Sequence, residues 1–380
     1  MNERILTMPQ RQSRPLLPKL HIDLPLFTGL LLLCGFGLAV LYSAGGNDLG
    51  LVKRQLLHLG LAIVVMIGIA QIPPGRLKQA SPWIYLLGIA LLVAVLFIGD
   101  IGKGAQRWLQ FGGFRFQPSE IVKVAVPMMA AWYMANRELP ARIWHQATAF
   151  VLILIPAALI IKQPDLGTAI LVAAAGIFVL FFSGLSWRLI LFTCIAGVVG
   201  IGIIVTYPDI LDSFLHEYQK RRVLTLLNPQ NDPLGAGYHI IQSTIAIGSG
   251  GIYGKGWLNG TQSHLDFLPE QHTDFIFAVI GEELGLTGIT IMMLLYLFII
   301  MRGLYISVMA DTSFGRLLAG SLTMVFFIYL LVNTGMVTGI LPVVGVPLPL
   351  ISYGGTSLIT ILASFGILMS IHTHRTPARN

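Results

Sequence analysis

Long apolar stretches without a charged residue are the feature that most limits how this chain can fold. A helix needs ~20 apolar residues to cross the hydrocarbon core of a bilayer. Only 11% of the residues are charged, against about 25% in soluble domains. Six charge-free runs are long enough for one crossing each, at 24–47, 55–75, 79–99, 143–161, 166–187 and 189–208.

Four further crossings complete the pattern. The run 284–301 extends back through two acids to Phe275, and residues 118–136 form a crossing with Glu120 and Lys123 near its start. Residues 317–374 carry no Lys, Arg, Asp or Glu and leave room for two crossings, split by the turn-rich stretch LPVVGVPLPLISYGG. The sequence therefore predicts an all-α polytopic membrane protein with ten transmembrane helices and a large outer loop at 209–273, between helices seven and eight.

The charges at the two termini predict the orientation. Lys and Arg are enriched on the cytoplasmic side, both terminal tails are basic, and an even number of crossings puts them on one side. We therefore expect cytoplasmic tails at 1–23 and 373–380 around a membrane domain at 24–372. The first tail lacks a cleavable signal. The net charge of +7 follows from this orientation and indicates no nucleic-acid partner.

The predicted topology brings scattered acids into one layer. Even-numbered helices run inward from the outer face, and four of them begin at the motifs QPSE, QPD, HTD and SYGGTS. Glu120, Asp165 and Asp274 are therefore expected at roughly the same depth on the outer side. Cys34 and Cys194 lie inside apolar runs, so no disulfide framework or metal cluster is indicated.

The acids of this layer have structural and functional interpretations. An Asp before an apolar run is a common helix N-cap and meets the positive end of the helix dipole. Capping could account for Asp165 and Asp274 without a catalytic role. Glu120 and Lys123 are spaced i, i+3 and can form an ion pair on one helix face, and the pair could also shape a site.

Two further acids follow Asp274 along the chain. In a straight helix, Glu282 and Glu283 lie roughly 12–13 Å beyond it, too deep to cap a helix. An acid at the bilayer centre costs at least ~2.5–3.5 kcal/mol. We expect these acids to be interior, with either a functional role or a helix-packing role.

Basic residues on the outer face indicate an anionic ligand. Ten are expected there, including Arg107, Arg222 in YQKRRV and Lys255 in a glycine-rich run. Such cations bind anions together with helix N-termini. The run GSGGIYGKG is not a nucleotide-binding P-loop, because positions 249 and 256 hold Ser and Gly. Up to this point a transporter and an enzyme fit equally well.

Six motifs resemble the SEDS family of bacterial cell-wall polymerases. They are GAQRWL (104–109), FQPSEIVKVAVP (116–127), QPDLGTA (163–169), DPLGAGYHIIQSTIAIGSGG (232–251), FLPEQHTDFIFAVIGEELG (267–285) and LPLISYGGTS (348–357). The resemblance covers about residues 24–375. The stretch LPVVGVPLPL and the ending SIHTHR resemble the elongation branch of the family.

The resemblance implies a peptidoglycan glycosyltransferase in the bacterial cytoplasmic membrane, with its active site facing the periplasm. The implied substrate is lipid II, a disaccharide-pentapeptide on undecaprenyl pyrophosphate, whose sugars are joined by β-1,4 bonds. The implied partners are a class B penicillin-binding protein transpeptidase, other elongation proteins and membrane lipids. A lipid II flippase and a non-catalytic scaffold for the transpeptidase are the alternatives.

The family motifs also imply roles for single residues. An inverting displacement needs a carboxylate base, which by motif position is Asp274. The departing pyrophosphate needs charge neutralisation, from basic residues or from a divalent cation, Mg²⁺ or Mn²⁺; no organic cofactor is expected. The candidate residues are Arg107, Arg222 and Lys255 for the pyrophosphate or sugar, Asp165 and Asp274 for the cation, Glu120 and Lys123 for shaping the cavity, and Glu282 and Glu283 as interior packing or cavity acids.

Overall fold

Helices make up most of the described chain. The computed structural model describes residues 20–375, apart from 103–104, 112–113, 265–269 and most of 186–234. The helices with defined bounds in these residues are α1 (Leu24–Ala44), α2 (Leu49–Ala70), α3 (Pro74–Ile98), α4 (Pro118–Ala135), α5 (Ile143–Lys162), α6 (Leu166–Phe182), α7 (Ala236–Gly250), α8 (Thr261–His264), α9 (Ile276–Met309), α10 (Ser313–Val337) and α11 (Thr356–Thr373).

Seven of the described helices are long and apolar enough to cross a membrane, namely α1, α2, α3, α5, α9, α10 and α11. Two more coincide with predicted crossings: α6 has 17 residues, and α4 carries the buried pair Glu120 and Lys123. The predicted crossing at 189–208 lies outside the described residues. The count of ten, the placement of the large outer loop and the domain bounds therefore stay predictions.

The all-α prediction is wrong between α3 and α4. Three short antiparallel strands lie there in the order β1-β2-β3, β1 (Asp100–Gly102), β2 (Ala105–Phe111) and β3 (Phe114–Phe116). Leu109 pairs with Phe116, and Phe111 pairs with Phe114. Alternating side chains around a Gly pair are a hairpin signal. Apolar runs do not reveal such strands, because each strand is too short to form one.

Part of the predicted outer loop is helical. Helix α7 packs against α9 and α10, and Ser243 Oγ donates to the Val337 carbonyl at 2.7 Å. A Cβ on Gly250 would overlap the Gly281 carbonyl, so only glycine allows α7 and α9 to approach this closely. Residues 236–250 therefore belong to the packed interior.

Helix α9 is broken after its first nine residues. Gly285 has φ 62° and ψ −157°, a conformation that glycine alone adopts readily. In an α-helix each N–H group donates to the carbonyl four residues earlier. A break in the helix leaves the N–H groups after it and the carbonyls before it without these partners. The insertion segment, residues 251–256, binds these groups: at 2.9–3.0 Å, the N–H groups of Leu286 and Thr287 donate to the carbonyls of Gly251 and Ile252, and the carbonyls of Glu282 and Glu283 accept from Lys255 and Gly256.

An ionic cluster joins three helices at one end of the bundle. Asp23 caps α1 by accepting from the Leu26 N–H at 2.9 Å. Its carboxylate also lies 2.6 Å from Arg302 Nη2 in α9 and 2.9 Å from His372 Nδ1 in α11. The rings of His21 and His374 stack at 3.9 Å. Residues near both termini therefore lie at the same end, in agreement with an even number of crossings.

Candidate active site

The starts of α4, α6 and α9 meet at one end of the bundle. Gln117, just before α4, donates from Nε2 to Asp165 Oδ2 at 3.0 Å. Gly167 in α6 lies against the return loop (residues 338–355), where a Cβ would come within 2.8 Å of the Val344 carbonyl. Gly345 of the same loop lies beside the Asp274 carboxylate. The return loop therefore connects the two acids that the topology predicts on one side.

Asp165 is both a helix cap and an ion-pair partner. Its Oδ1 accepts the Thr168 N–H at 3.2 Å, which confirms the capping prediction. Its Oδ2 lies 3.8 Å from Nη1 of Arg107, a β2 residue that also donates to the carbonyls of Gln163 and Pro164. Asp165 is only 6% exposed, so it fixes β2 and α4 to the start of α6. Arg107 keeps 28% of its side chain exposed and can contact a ligand.

Glu120 and Lys123 form a buried ion pair. Lys123 Nζ donates to Glu120 Oε1 at 2.7 Å, as the i, i+3 spacing predicts, and lies 5.3 Å from the ring centre of Tyr329. Glu120 also lines an apolar cavity of about 430 Å³ between α2, α3, α4 and α11. The cavity walls include Ile69, Leu77, Ile84, Val124 and Ile359. The pair therefore places a charged group at the wall of a cavity that is otherwise almost entirely apolar.

Asp274 lies one residue before the N-cap position of α9. The helix begins at Ile276 with Phe275 at the N-cap position. Asp274 is half-buried. Three successive carbonyls hold the chain here: His272 O accepts from the Tyr353 N–H at 2.9 Å, Thr273 O from Ser352 Oγ at 2.5 Å, and Asp274 O from Asn333 Nδ2 at 2.8 Å.

The residues that hold Asp274 were not singled out from the sequence. Ser352 and Tyr353 lie inside the motif SYGGTS, so their neighbourhood was predicted but their contacts were not. Asn333 is fully buried and lies in the long charge-free stretch. An amide in an apolar helix is a signal for an interhelical contact, and it was the one available clue to this residue.

The prediction that neither Glu282 nor Glu283 can cap a helix is wrong for Glu282. Both acids precede the break in α9, where the chain around the insertion segment reaches them. Glu282 accepts from the Thr261 and Gln262 N–H groups at the start of α8, at 2.9 and 3.1 Å. It also pairs with Lys255 Nζ at 2.7 Å. The straight-helix prediction failed because it assumed that residues of the predicted outer loop do not reach these two acids.

Glu283 has a packing contact of its own. Its Oε1 accepts from Ser43 Oγ in α1 at 2.5 Å, and its Oε2 accepts from the Leu258 N–H at 3.4 Å. The alternative of buried helix-packing acids therefore describes both residues. Lys255 is bound to Glu282, so its charge neutralises this buried carboxylate.

Two site predictions are less well defined by the structure. Arg222 is half-buried at an isolated described position, and Lys220 and Arg221 lie outside the described residues. Within the described part of the chain, no three His, Cys, Asp or Glu side chains are arranged to hold a metal. The carboxylate of Asp165 already has protein partners on both oxygens.

The chain is similar to one family along nearly its whole length. The family of cell cycle proteins FtsW, RodA and SpoVE matches residues 17–377. The peptidoglycan glycosyltransferase MrdB of Escherichia coli K12 is 54% identical over 357 residues, which are 94% of this chain and 95% of that protein. The peptidoglycan glycosyltransferase RodA of Treponema pallidum is 33% identical, over 93% of this chain and 98% of that protein.

Solved structures have the same fold. A chain from a peptidoglycan synthase complex that coordinates polymerization and crosslinking gives a TM-score of 0.78 at 33% identity, over 93% of this chain and 99% of that chain. The rod shape determining protein RodA of Thermus thermophilus gives 0.69 at 28% identity, over 92% of this chain and 96% of that chain.

Proposed function

Because this chain belongs to the FtsW, RodA and SpoVE family and is a peptidoglycan glycosyltransferase, we propose that it polymerises lipid II into β-1,4 glycan strands during cell elongation. The observation that carries the proposal is the half-buried Asp274, fixed through its backbone beside the return loop. The motif around Asp274 and the 54% identity to MrdB, an enzyme named for this activity, support the same conclusion.

We assign Asp274 the role of general base. The donor sugar is α-linked to pyrophosphate and the product bond is β, so one inverting displacement suffices. The acceptor 4-hydroxyl oxygen forms a bond to the donor C1 while the bond from C1 to the pyrophosphate oxygen breaks. The hydroxyl proton goes to the Asp274 carboxylate, and undecaprenyl pyrophosphate leaves with the electron pair. The pyrophosphate is already a good leaving group, so no separate general acid is required.

The negative charge on the leaving group requires a cation. Arg107 is the basic residue that we assign first, because its partly exposed guanidinium lies at the start of α6 beside Asp165. Its position there is fixed by two backbone carbonyls. Arg222 is the second basic candidate. Lys255 is the weakest, because it is bound to Glu282.

A divalent cation, Mg²⁺ or Mn²⁺, remains part of the proposal. Asp165 fits poorly as a ligand because Thr168 and Gln117 occupy its oxygens and Arg107 lies close by. Asp274 is only half-buried and fits better as a ligand, together with oxygens of the substrate. A bound cation would supply neutralisation of the leaving pyrophosphate.

The apolar cavity beside Glu120 supports a lipid-linked substrate. Its volume of about 430 Å³ and its branched aliphatic walls suit part of a polyprenyl chain. The buried pair of Glu120 and Lys123 lies at its wall, and we propose that this pair shapes the passage from the lipid to the sugars.

We further propose that both termini are cytoplasmic and that the active site faces the periplasm, in the inner membrane. The basic tails and the shared location of His21 and His374 support this orientation. The proposed partners are a class B penicillin-binding protein, other elongation proteins and membrane lipids. Similarity to a chain of a peptidoglycan synthase complex supports the first of these.

The test is glycan polymerisation by purified protein. Wild type with labelled lipid II and its transpeptidase partner should form long strands. Replacing a general base typically costs about 10²–10⁴-fold in rate, so Asp274→Asn should lose most or all of the product while its thermal unfolding and partner binding stay as in wild type. Wild-type polymerisation by a folded Asp274→Asn variant would falsify the assignment of the base.

Transport of lipid II is the alternative that the intramembrane acids favoured. In the structure, Glu282 binds Lys255 and the start of α8, and Glu283 binds Ser43 and Leu258. The main argument for a flippase was that these two acids lie deep in the membrane, and the contacts give both acids a structural role instead. Lipid II transfer across reconstituted vesicles by a polymerisation-deficient Asp274→Asn variant would revive it, and normal growth on that variant would favour the scaffold.

A further inference from the structure

The side chain of Asn333 binds the backbone of Asp274, and it joins two separate elements. It lies in the last part of α10 and is 0% exposed. Its Nδ2 donates to the Asp274 carbonyl at 2.8 Å and to the Val346 carbonyl at 2.7 Å. One amide group thus ties the residue before the N-cap of α9 to the return loop.

The orientation of this amide is fixed by its surroundings. A side-chain amide carries two N–H donors on nitrogen and acceptor lone pairs on oxygen. If the amide of Asn333 were rotated by half a turn, Oδ1 would face two carbonyl oxygens in place of Nδ2. Its Oδ1 is buried and has no hydrogen-bond partner in the described residues. A buried acceptor without a partner destabilises the folded state, so the protein keeps this amide despite a cost in stability.

The position of Asp274 depends on such contacts because helix geometry does not set it. Asp274 precedes the N-cap of α9. Val346 follows Gly345, which lies beside the Asp274 carboxylate. The two carbonyls bound by Asn333 therefore belong to Asp274 itself and to the residue that follows Gly345 in the return loop.

We propose that Asn333 is a positioning residue for the glycosyl transfer: its two N–H donors hold Asp274 and the return loop in the relative position that the base requires. This inference rests on the proposed role of Asp274. Asn333 does not touch the substrate, because its side chain is fully buried. Its effect is on the step in which Asp274 takes the proton, since displacement of a catalytic group by about 1 Å can cost 100-fold.

The test is a graded series at position 333. Asn333→Ser keeps one donor, Asn333→Ala keeps none, and Asn333→Asp sets a carboxylate against two carbonyl oxygens. We expect kcat for lipid II polymerisation to fall in that order, by about 10- to 100-fold for Asn333→Ala, with KM for lipid II changed less than twofold. Thermal unfolding selects the variants that are folded.

Ser321→Ala is the matched control. Ser321 also lies in α10, is 0% exposed and donates to a carbonyl of another helix, Ala175, at 2.6 Å. It has no contact with the return loop among its hydrogen bonds, so its loss should leave kcat and KM as in wild type. A purely structural role of Asn333 predicts that folded Asn333→Ala and Ser321→Ala behave alike, and that outcome overturns the proposal.

Asp274→Asn, assayed in parallel, separates this inference from the proposed function. An inactive Asp274→Asn with a wild-type kcat in folded Asn333→Ala or Asn333→Ser overturns only the positioning role. An active Asp274→Asn overturns the base assignment, and with it the reason for a positioning residue. A rise in KM with unchanged kcat would place Asn333 in substrate binding and would also contradict the proposal.

Discussion

Buried carboxylates at the end of the bundle that holds the candidate site are stabilised in different ways. Asp165 accepts a helix N–H group and faces Arg107, Glu120 binds Lys123, and Glu282 accepts N–H groups and binds Lys255. A buried charge is costly unless it is paired and hydrogen-bonded, and each of these acids meets that condition. Asp274 differs because it is only half-buried, which suits the proposed role of a base that meets the substrate.

The contacts of Glu282 predict an order of stability among its variants. Glu282→Ala leaves the Thr261 and Gln262 N–H groups and Lys255 without their common acceptor. Each buried N–H group left without a partner costs about 1–3 kcal/mol, so the total loss should be about 3–5 kcal/mol. Lys255→Ala removes one donor but leaves the carboxylate its N–H donors, so the loss should be about 1–2 kcal/mol. Thermal unfolding in detergent measures both. Equal losses would mean that the N–H donors contribute nothing.

At single residues, the sequence predicted the local pairs and missed the distant ones. The Glu120–Lys123 pair and the Asp165 cap follow from spacing within one helix or one turn, and the structure confirms both. Asn333 and Asp274 are 59 residues apart, and no local pattern joins them. The Glu282 prediction failed for the same reason, because its partners lie in residues 255–262.

Among the elements, the broken start of α9 has the strictest requirement on sequence. A Cβ at Gly285 would lie 2.7 Å from the Ile252 carbonyl, in addition to the strain of a positive φ. Unsatisfied backbone groups are expensive where water is absent, so non-helical backbone is tolerated in a membrane protein only where other protein groups bind it. The insertion segment does this for α9, which makes the break and the segment one unit.

Gly285→Ala should therefore disrupt both. We expect the positive-φ conformation, which is essentially restricted to glycine, to cost about 1–3 kcal/mol and the overlap to displace residues 251–256, so that melting temperature and polymerisation both fall. Gly60→Ala in α2 is the matched control, because nothing lies within 4 Å of a Cβ there and Ala favours a helix by about 1 kcal/mol over Gly. Limited proteolysis should cut residues 251–262 faster in Gly285→Ala alone.

Element prediction from sequence succeeded where one physical signal dominates. Long apolar runs, most of them free of charged residues, predicted nine of the helices that the described residues contain, because crossing a bilayer needs long apolar helices. The three strands, the break at Gly285 and helix α7 were missed, because each depends on contacts with a second segment. In α7, for example, Ser243 donates to the Val337 carbonyl and Gly250 lies against the Gly281 carbonyl. Neither contact can be predicted from the sequence of α7 alone.

For the whole molecule, the end opposite the acids is held by the cluster around Asp23. Burial alone would raise the pKa of the Asp23 carboxyl, but hydrogen bonds from His372, Arg302 and the Leu26 N–H outweigh burial and hold the pKa well below its usual range. Arg302 belongs to α9 and His372 to α11, so the carboxylate links the first, the broken and the last described helix.

The Asp23 cluster predicts how stability depends on pH. A carboxyl whose pKa is lowered on folding stabilises the protein above its unfolded pKa, about 3.9 for Asp. That contribution is lost as pH falls from there toward the folded pKa, because the folded state then has to bind a proton that the unfolded state already carries. Asp23→Asn should lower stability at pH 7 by about 3 kcal/mol, and its deficit relative to wild type should shrink below about pH 4.

The surface pair of Asp311 and Arg375 supplies the comparison for this test. Its N–O distance is 3.5 Å, with both side chains more than a third exposed, and exposed pairs contribute about 0–1 kcal/mol. Asp311→Asn should therefore change the melting temperature little at any pH. Melting curves of wild type, Asp23→Asn and Asp311→Asn, measured between pH 3 and pH 8, distinguish the buried ionic cluster from the surface pair. A deficit of Asp23→Asn that is independent of pH would show that its hydrogen bonds, and not its charge, join the helices. A deficit that shrinks in acid would show that one buried charge at this end couples the first and last described helices, at the end opposite the proposed active site.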